Sequence, residues 1–332
     1  MVRLKDIAEA CGASVATVSR ALNGLTNENK ERTAMICRVA REMGYYPNAA
    51  ARTLKTSRSC SIGILYEDRM NHEYFSSLLD DLRSAAEEHG YDLTLIGQNA
   101  GKTGESCYDH ARRRNLDGII VMPSDIWPEN VIRLVRSDMP SVMIDHAREG
   151  RDCVITDNRA AVGEIVRFAY GRGHRRIGFI TGQESEVSRE RLAAFRGICA
   201  ELGITPPEGY IREGKYHDPE ICAALIRDMM KEKEAPTCIL CPDDYSCLGA
   251  MLDLTAGGIR IPEELSLAGF DGIRIGGMIR PALTTYRQDT KAIAREAVRL
   301  LLEAIETPGE HIPDRITLKG TLLEGETVRD LS

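Results

Sequence analysis

The sequence predicts two architectures in one chain. An N-terminal all-α helix-turn-helix domain with a hinge helix comes first, and an α/β core of two doubly wound parallel-sheet lobes follows. Three observations predict this. "LKDIAEACGASVATVSRALN" carries two short helical periods broken at Gly12. The charge is divided, since residues 1–58 hold ten Lys and Arg against five Asp and Glu, a net of +5, while the rest carries −12 of the overall −7. From Ser61 onward, apolar strand-like runs alternate with helical stretches, the pattern of parallel sheets covered by helices.

In the head, Ile7, Ala8 and Cys11 fall at helical spacing and Gly12 is a natural stop. Ser14 can cap a second helix, Val15–Leu22, with Val18 and Leu22 on one face. Two short helices joined by a tight Gly-containing turn make a helix-turn-helix. The second helix leads with small residues, Val15, Ala16 and Thr17, and then offers Ser19 and Arg20. Such a helix can press its N-terminal part into the major groove, against thymine methyls and phosphates, and the arginine fork suits guanine edges. A basic head on an acidic body points the same way, to an anionic partner. A third helix, about Asn29–Met43, supplies Ile36, Val39, Ala40 and Met43 as a packing face.

"GYYPNAAARTLKTSRS" follows. Asn48 can cap a helix and the alanines through Ala51 favour one, but the run from Asn48 to Lys55 is too short to hold a helix alone in water. Arg52, Lys55 and Arg58 are basic. Leu54 has no apolar partner in the stretch. A marginal helix with a spare leucine suits a segment that orders only on binding.

The body reads as strands "SIGIL", "DLTLIG", "DGIIVM" and "PSVMI", with helices at Tyr74–His89, Glu105–Arg114 and Glu129–Asp138 between them. Strands "RRIGFIT", "TCILC" and "LSLAGF" repeat the style, with helices at about Arg159–Tyr170, Ser188–Leu202, Asp218–Lys233 and Tyr245–Ala256. Two such halves of five or six strands each make a bilobed body, and ligands bind such sheets at the carboxyl ends of the strands. Asp157 and Asp244 are expected to cap helices.

Other classes find no support. There is no G-x-x-x-x-G-K-[ST] loop and no G-x-S-x-G elbow, and "GRGHRRIGF" precedes a strand rather than following one. No catalytic set stands out, so no enzyme and no cofactor are expected. Cys238 and Cys241 form a C-x-x-C, but residues three apart on a strand point to opposite faces, which is poor for chelation, and no metal is expected. The remaining cysteines read as buried thiols. No run approaches a membrane span, and the start lacks the apolar core of a secretory signal, so a cytoplasmic protein with no membrane partner is expected.

"LKDIAEACGASVATVSRALNG" with "GYYPNAAARTLK" closely resembles the DNA-binding head of the LacI/GalR family of bacterial transcription regulators. The likeness continues through "ITDNRAAVG", "GHRRIGFITG", "RERLAAFRGICAELGI", "PDDYSCLGAM", "IPEELSLAGFDG" and "PALTTYRQD". The segment between Asn23-Gly24 and the third helix is shorter than the family's pattern. The resemblance implies a periplasmic-binding-protein-like core that senses a small molecule, and a homodimer that represses transcription at a pseudo-palindromic operator. It implies a helix-turn-helix domain at 1–46, a hinge and linker at 47–59 and a core at 60–332. Within the core, one lobe would be about 60–157 and 289–319, and the other about 158–288 and 320–332. Ser14, Val15, Ala16, Thr17, Ser19, Arg20 and Asn23 would meet DNA, joined by Asn48, Ala51, Arg52 and Lys55 of the hinge, with Leu54 wedged between base pairs.

Effector contacts carried over by the resemblance are Arg191, whose planar fork suits vicinal oxygens, and Asp271 at a strand end. Asp243 stands where many members have asparagine. Asp145, Tyr216 and Gln288 are further candidates, as are Tyr74, Phe75, Asn99 and Trp127. Acids around one arginine with aromatics suit a neutral sugar as effector. The alternatives are a non-sugar effector such as a nucleobase, or a sugar-binding module that does not regulate DNA.

Overall fold

The computed structural model describes residues 2–22, 30–45, 58–66, 72–96, 106–122 and 129–332. The expected hinge helix over Asn48–Lys55 lies outside the described residues, as do Asn23, Asn99 and Trp127. Packing divides the chain into Met1–Cys60 and Ser61–Ser332.

The first unit contains α1 (Leu4–Ala10), α2 (Val15–Leu22) and α3 (Lys30–Glu42). Ile7, Ala8, Val18, Ala21, Ile36 and Ala40 form its core. Gly12 takes φ +57° after α1, a conformation that costs glycine little. Ser14 then caps α2, its Oγ accepting from Thr17 N at 3.1 Å. Arg32 of α3 donates to Gly12 O at 3.4 Å and ties the turn to the third helix.

The second unit opens with β1 (Ser61–Tyr66), α4 (Glu73–Glu88), β2 (Asp92–Ile96), α5 (Cys107–Arg113), β3 (Gly118–Met122), α6 (Glu129–Arg136), β4 (Ser141–Ile144) and β5 (Asp152–Thr156). It continues with α7 (Asn158–Gly171), β6 (Ile177–Thr181), α8 (Glu186–Glu201), β7 (Ile211–Glu213), α9 (Pro219–Met229), β8 (Cys238–Leu240), α10 (Asp244–Ala256), β9 (Ser266–Asp271), α11 (Arg274–Met278) and β10 (Thr284–Arg287). It closes with α12 (Thr290–Glu306), β11 (Arg315–Leu318) and β12 (Thr321–Leu323). These strands make two six-stranded sheets, ordered β11-β5-β4-β3-β1-β2 and β12-β10-β9-β8-β6-β7. Every pairing is parallel except β12 on β10. The chain passes from the first sheet to the second after β5, returns through α12 to β11, and ends on β12 of the second.

Both sheets are covered on both faces, which is why β3, β4 and β8 read as unbroken apolar runs rather than alternating ones. Helix α12 packs on β3, β4, β5 and α4, with Leu300 and Leu301 buried. The structure adds β5, β7, β10, β11, β12, α11 and α12 to the elements expected from sequence. Strands β7, β10 and β12 are three or four residues long, too short to show a period of two. His174 is fully buried at the entry to β6, bonded to Thr237 Oγ1 at 2.8 Å and Arg329 O at 3.1 Å, so it ties the C-terminal tail to the second sheet. None of the ten cysteines forms a disulfide, and Cys238 and Cys241 are buried among apolar neighbours.

In the second lobe Phe195 of α8 is fully buried and stacks on Phe179 of β6 at 5.0 Å. Phe195→Ala is expected to destabilise the core by about 3–5 kcal/mol, read as a lower midpoint in chemical denaturation.

Candidate DNA-binding surface and effector cleft

In the head, Val18 and Ala21 bury one face of α2 and leave the other outward. Val15 is 45% exposed on that outward face. Ala16 and Arg20 are also exposed, and Thr17 and Ser19 lie partly so beside them. Arg20 Nε donates to Ala16 O at 3.4 Å, which lays the guanidinium along the helix. The described residues proposed for the major groove, Ser14 to Arg20, thus lie on and around the face opposite the core.

In the body, the carboxyl ends of strands from both sheets converge on a cavity of about 200 Å³. Arg191, Asp271, Asp243, Asp145, Tyr216, Gln288, Tyr74 and Phe75 all line it. Its apolar wall comes from the first lobe, with Tyr66, Phe75, Leu78, Met122 and Ile144. Much of its polar side comes from the second lobe.

Arg191 of α8 is 7% exposed. Its Nε donates to Asn158 Oδ1 at 2.9 Å and its Nη1 to Pro242 O at 3.1 Å. The guanidinium carbon lies 3.5 Å from the centre of the Phe270 ring. Two donors and the π-face are therefore spent on the protein, and the arginine is held in one orientation. Asn158 is itself held by Glu190, which accepts from Asn158 Nδ2 at 3.0 Å and from Arg315 of β11 at 3.0 Å.

Asp271 ends β9 at φ +116° and Asp145 follows β4 at φ +65°, both in a region that L-residues rarely occupy. Each strand bends at its end and turns an acid inward. Burial, reinforced by the charge of Asp243, raises the Asp271 carboxyl to about 7, against the pull of Arg191. Burial raises Asp145 to about 6, again opposed by Arg191. Gln288 Nε2 donates to Asp271 Oδ1 at 2.8 Å while its Oε1 accepts from Thr156 of the first sheet, so one amide joins both lobes where the chain crosses. The Tyr74 hydroxyl is enclosed with no hydrogen-bond partner among the described residues. Burial and the charges of Asp145 and Asp271 raise its pKa well above the usual phenol value.

Asp243 departs from expectation. It, and not Asp244, caps α10. Its Oδ1 accepts from Ser246 N at 2.7 Å, and its Oδ2 accepts from Ser246 Oγ at 2.7 Å and from His217 N at 2.9 Å. A carboxylate with three donors at a helix N-terminus serves first as scaffold. Asp244 lies one residue further in, fully buried, and accepts from Ile273 N at 2.9 Å. Asp157 caps α7 as expected, accepting from Ala160 N at 2.9 Å. Tyr216 packs across Gly182 so closely that a Cβ there would lie 2.0 Å from its ring, and its hydroxyl pairs with Ser188 Oγ at 3.0 Å.

Sequence reasoning missed three histidines of the cavity, His72, His146 and His217. Burial, with the nearby Arg148 and Arg189, lowers His146 to about 4. "NHEYF" and "KYHD" hold no periodic signal that would mark His72 or His217 as cavity residues.

An exposed small-residue helix beside a three-helix core, and a polar cleft between two parallel sheets, define a ligand-sensing DNA-binding regulator. The model for bacterial regulatory proteins of the lacI family matches residues 3–48, and that for a periplasmic binding protein-like domain matches residues 166–328. The chain is 31% identical to the HTH-type transcriptional repressor PurR of Vibrio cholerae, over 100% of this chain and 99% of that protein. It is 30% identical to PurR of Edwardsiella ictaluri, over 99% and 98%. Among solved structures, the Lac repressor dimer bound to operator and the anti-inducer ONPF aligns with a TM-score of 0.80 at 23% identity, over 99% of both chains. The transcriptional regulator CelR in complex with cellobiose aligns at 0.71 and 22%, over 98% of this chain and 100% of that one. The chain belongs to the lacI family of bacterial regulatory proteins. It is a DNA-binding transcriptional repressor controlled by a small molecule, and not an enzyme. No helix among the described residues is long and apolar enough to cross a membrane.

The folded state holds a proton on Asp271 between its ordinary value of 3.8 and about 7, where the unfolded chain has released it. That group therefore contributes stability at low pH which is lost as pH rises through about 7. Asp271→Asn is expected to raise the thermal midpoint of the core at pH 8 and to leave it little changed at pH 4, measured by calorimetry across that range.

Proposed function

We propose that the cleft takes a small ring-shaped effector, flat on one side and polar at its edge, with a nucleobase as the leading class. The observation that carries this is the division of the cavity. Tyr66 and Phe75, 5.4 Å apart, lie on its apolar side, and Arg191, Asp271 and Asp145 on the other. An apolar wall accepts a ring face, while one fixed donor between two acids accepts an edge that both donates and accepts. The full-length match to PurR repressors makes nucleobases the first class to test. A sugar is the second reading, because the same acids and arginine suit adjacent hydroxyls.

In this reading Arg191, Asp271, Asp145, Tyr74 and Phe75 touch the effector, with Gln288 and Tyr216 behind them, and Asp243 shapes the floor. Asn99 and Trp127 stay as candidates on sequence grounds. The division of labour is a DNA-reading head at 1–46, a hinge at 47–59 and a sensing core beyond. The working form is a cytoplasmic homodimer whose two heads read a near-palindrome and whose hinges meet at its centre. Leu252 at 70% exposure and Met278 at 67% supply apolar surface that a second copy could cover. The effector acts by binding one relation of the lobes better than the other, and by linkage operator DNA shifts effector affinity by the same factor.

Thermal-shift and calorimetric titration with adenine, guanine, hypoxanthine, cytosine and a monosaccharide panel test the effector class. A nucleobase is expected to raise the midpoint by mass action, and Arg191→Ala to abolish the shift. A response to sugars alone decides for the second reading.

For DNA, Leu54→Ala is expected to weaken specific operator binding about tenfold or more and to reduce bending, with the effector response kept. Val15→Asp is expected to abolish specific binding, since it puts an anion against phosphates. Fluorescence anisotropy and gel mobility on operator fragments read both. Operator affinity and bending unchanged by Leu54→Ala would remove the wedge role.

A further inference from the structure

The cavity has a hinge side and a mouth. On the hinge side the chain itself joins the lobes, at Thr156–Asn158, Arg287–Thr290 and Leu318–Thr321, so the lobes can part only at the mouth. Two consecutive residues at the start of α4, in the first lobe, reach the second lobe there. His72 caps α4, its Nδ1 accepting from Phe75 N at 3.4 Å, and its ring stacks on His217 at 3.7 Å with 15° between planes. His217 in turn hangs from Asp243 by its main-chain N–H, so the stack connects α4 to the cap of α10.

Glu73 makes the second contact. The first N–H groups of a helix have no partner within it. Helix α11 begins after Ile273, whose own side chain cannot cap it. Glu73 supplies a cap from across the mouth, with Oε1 accepting from Arg274 N at 2.8 Å and Oε2 from Ile275 N at 3.3 Å. A carboxylate on main-chain N–H groups at a helix start is a charge-assisted contact that also meets the helix dipole. When the lobes part, α11 loses its cap.

We propose that His72 and Glu73 form a clasp that holds the two lobes in one relation across the mouth, and so regulates the cleft in which the effector binds. The proposal rests on that cleft being the effector site. It assigns to His72 and Glu73 a positioning role, since the relation of the lobes is what an effector acts on.

Amide hydrogen exchange on the full chain tests it without any effector. The reporter is the Ala147 amide, which donates to Glu186 Oε2 at 3.1 Å at another contact between the lobes. If the clasp holds the lobes as one body, Glu73→Ala speeds exchange at Ala147 roughly three- to tenfold as well as at Arg274 and Ile275. Glu73→Gln, which keeps an acceptor, gives a smaller change. His72→Asn keeps a capping side chain and removes the ring stack, and it too is expected to speed Ala147. Glu87→Ala, which removes an acid of the same helix that pairs with Arg83 of that helix, leaves Ala147 unchanged. Faster exchange at Arg274 and Ile275 with Ala147 unaffected overturns the clasp and leaves Glu73 a local cap. Uniform acceleration that includes the buried strand β6 also overturns it, because that is loss of global stability. Failure of nucleobases and sugars to bind would overturn the effector reading while this exchange pattern stands.

Discussion

A buried guanidinium must be given partners, and the arrangement around Arg191 organises much of the effector cleft. The side chain is enclosed, always charged, and too rigid to find donors' partners by small adjustments. Asn158, the Pro242 carbonyl and the face of Phe270 meet it from three elements of the second lobe. Those same elements carry the other cleft groups. Pro242 precedes Asp243, which caps α10 and holds His217, and Phe270 precedes Asp271. Satisfying one cation thus sets the floor, one acid and one histidine of the cavity together.

That cation does not fully compensate the acids near it. Its Nε and Nη1 are engaged elsewhere, and Asp145 and Asp271 stay far from the ordinary carboxylate range because burial outweighs its pull. A ligand that brings hydrogen-bond donors to these acids favours their ionised form. The same groups reach both lobes. Gln288 bridges Thr156 and Asp271, and Glu190 links Asn158 to Arg315. Groups that touch a ligand and also span the crossings are a physical means by which occupancy and lobe relation share free energy.

Much of the fold is legible in the sequence because it rests on local rules. Gly12 and Ser14 announce the turn and the cap of the second helix, and the structure places both there. The apolar runs at β1, β3, β4, β6, β8 and β9 are strands buried on both faces, so they stand out without alternation. Several cleft residues were legible for a different reason. Arg191 and Asp271 sit in phrases that resemble the family's pattern, and such a resemblance carries position without stating geometry. His72 and His217 carry no such mark, and their stacking joins residues 145 positions apart. The capping of α10 by Asp243 rather than Asp244 was also hidden, because either of two adjacent acids after β8 could have taken the cap.

What the sequence determined by itself is the architecture and the class: a helix-turn-helix head, a two-lobed parallel-sheet core, and membership in a family of repressors. Helix stops, caps, apolar period and charge division act within a few residues of one another, so they can be read along the chain. The tertiary structure alone decided which acid is scaffold, how far each acid's protonation is shifted, and which residues cross the mouth of the cavity. Those outcomes depend on strand ends forced to positive φ at Asp145 and Asp271, and on groups from two sheets meeting in space. Burial then sets their protonation, and burial is a property of the packed whole that no short stretch of sequence contains.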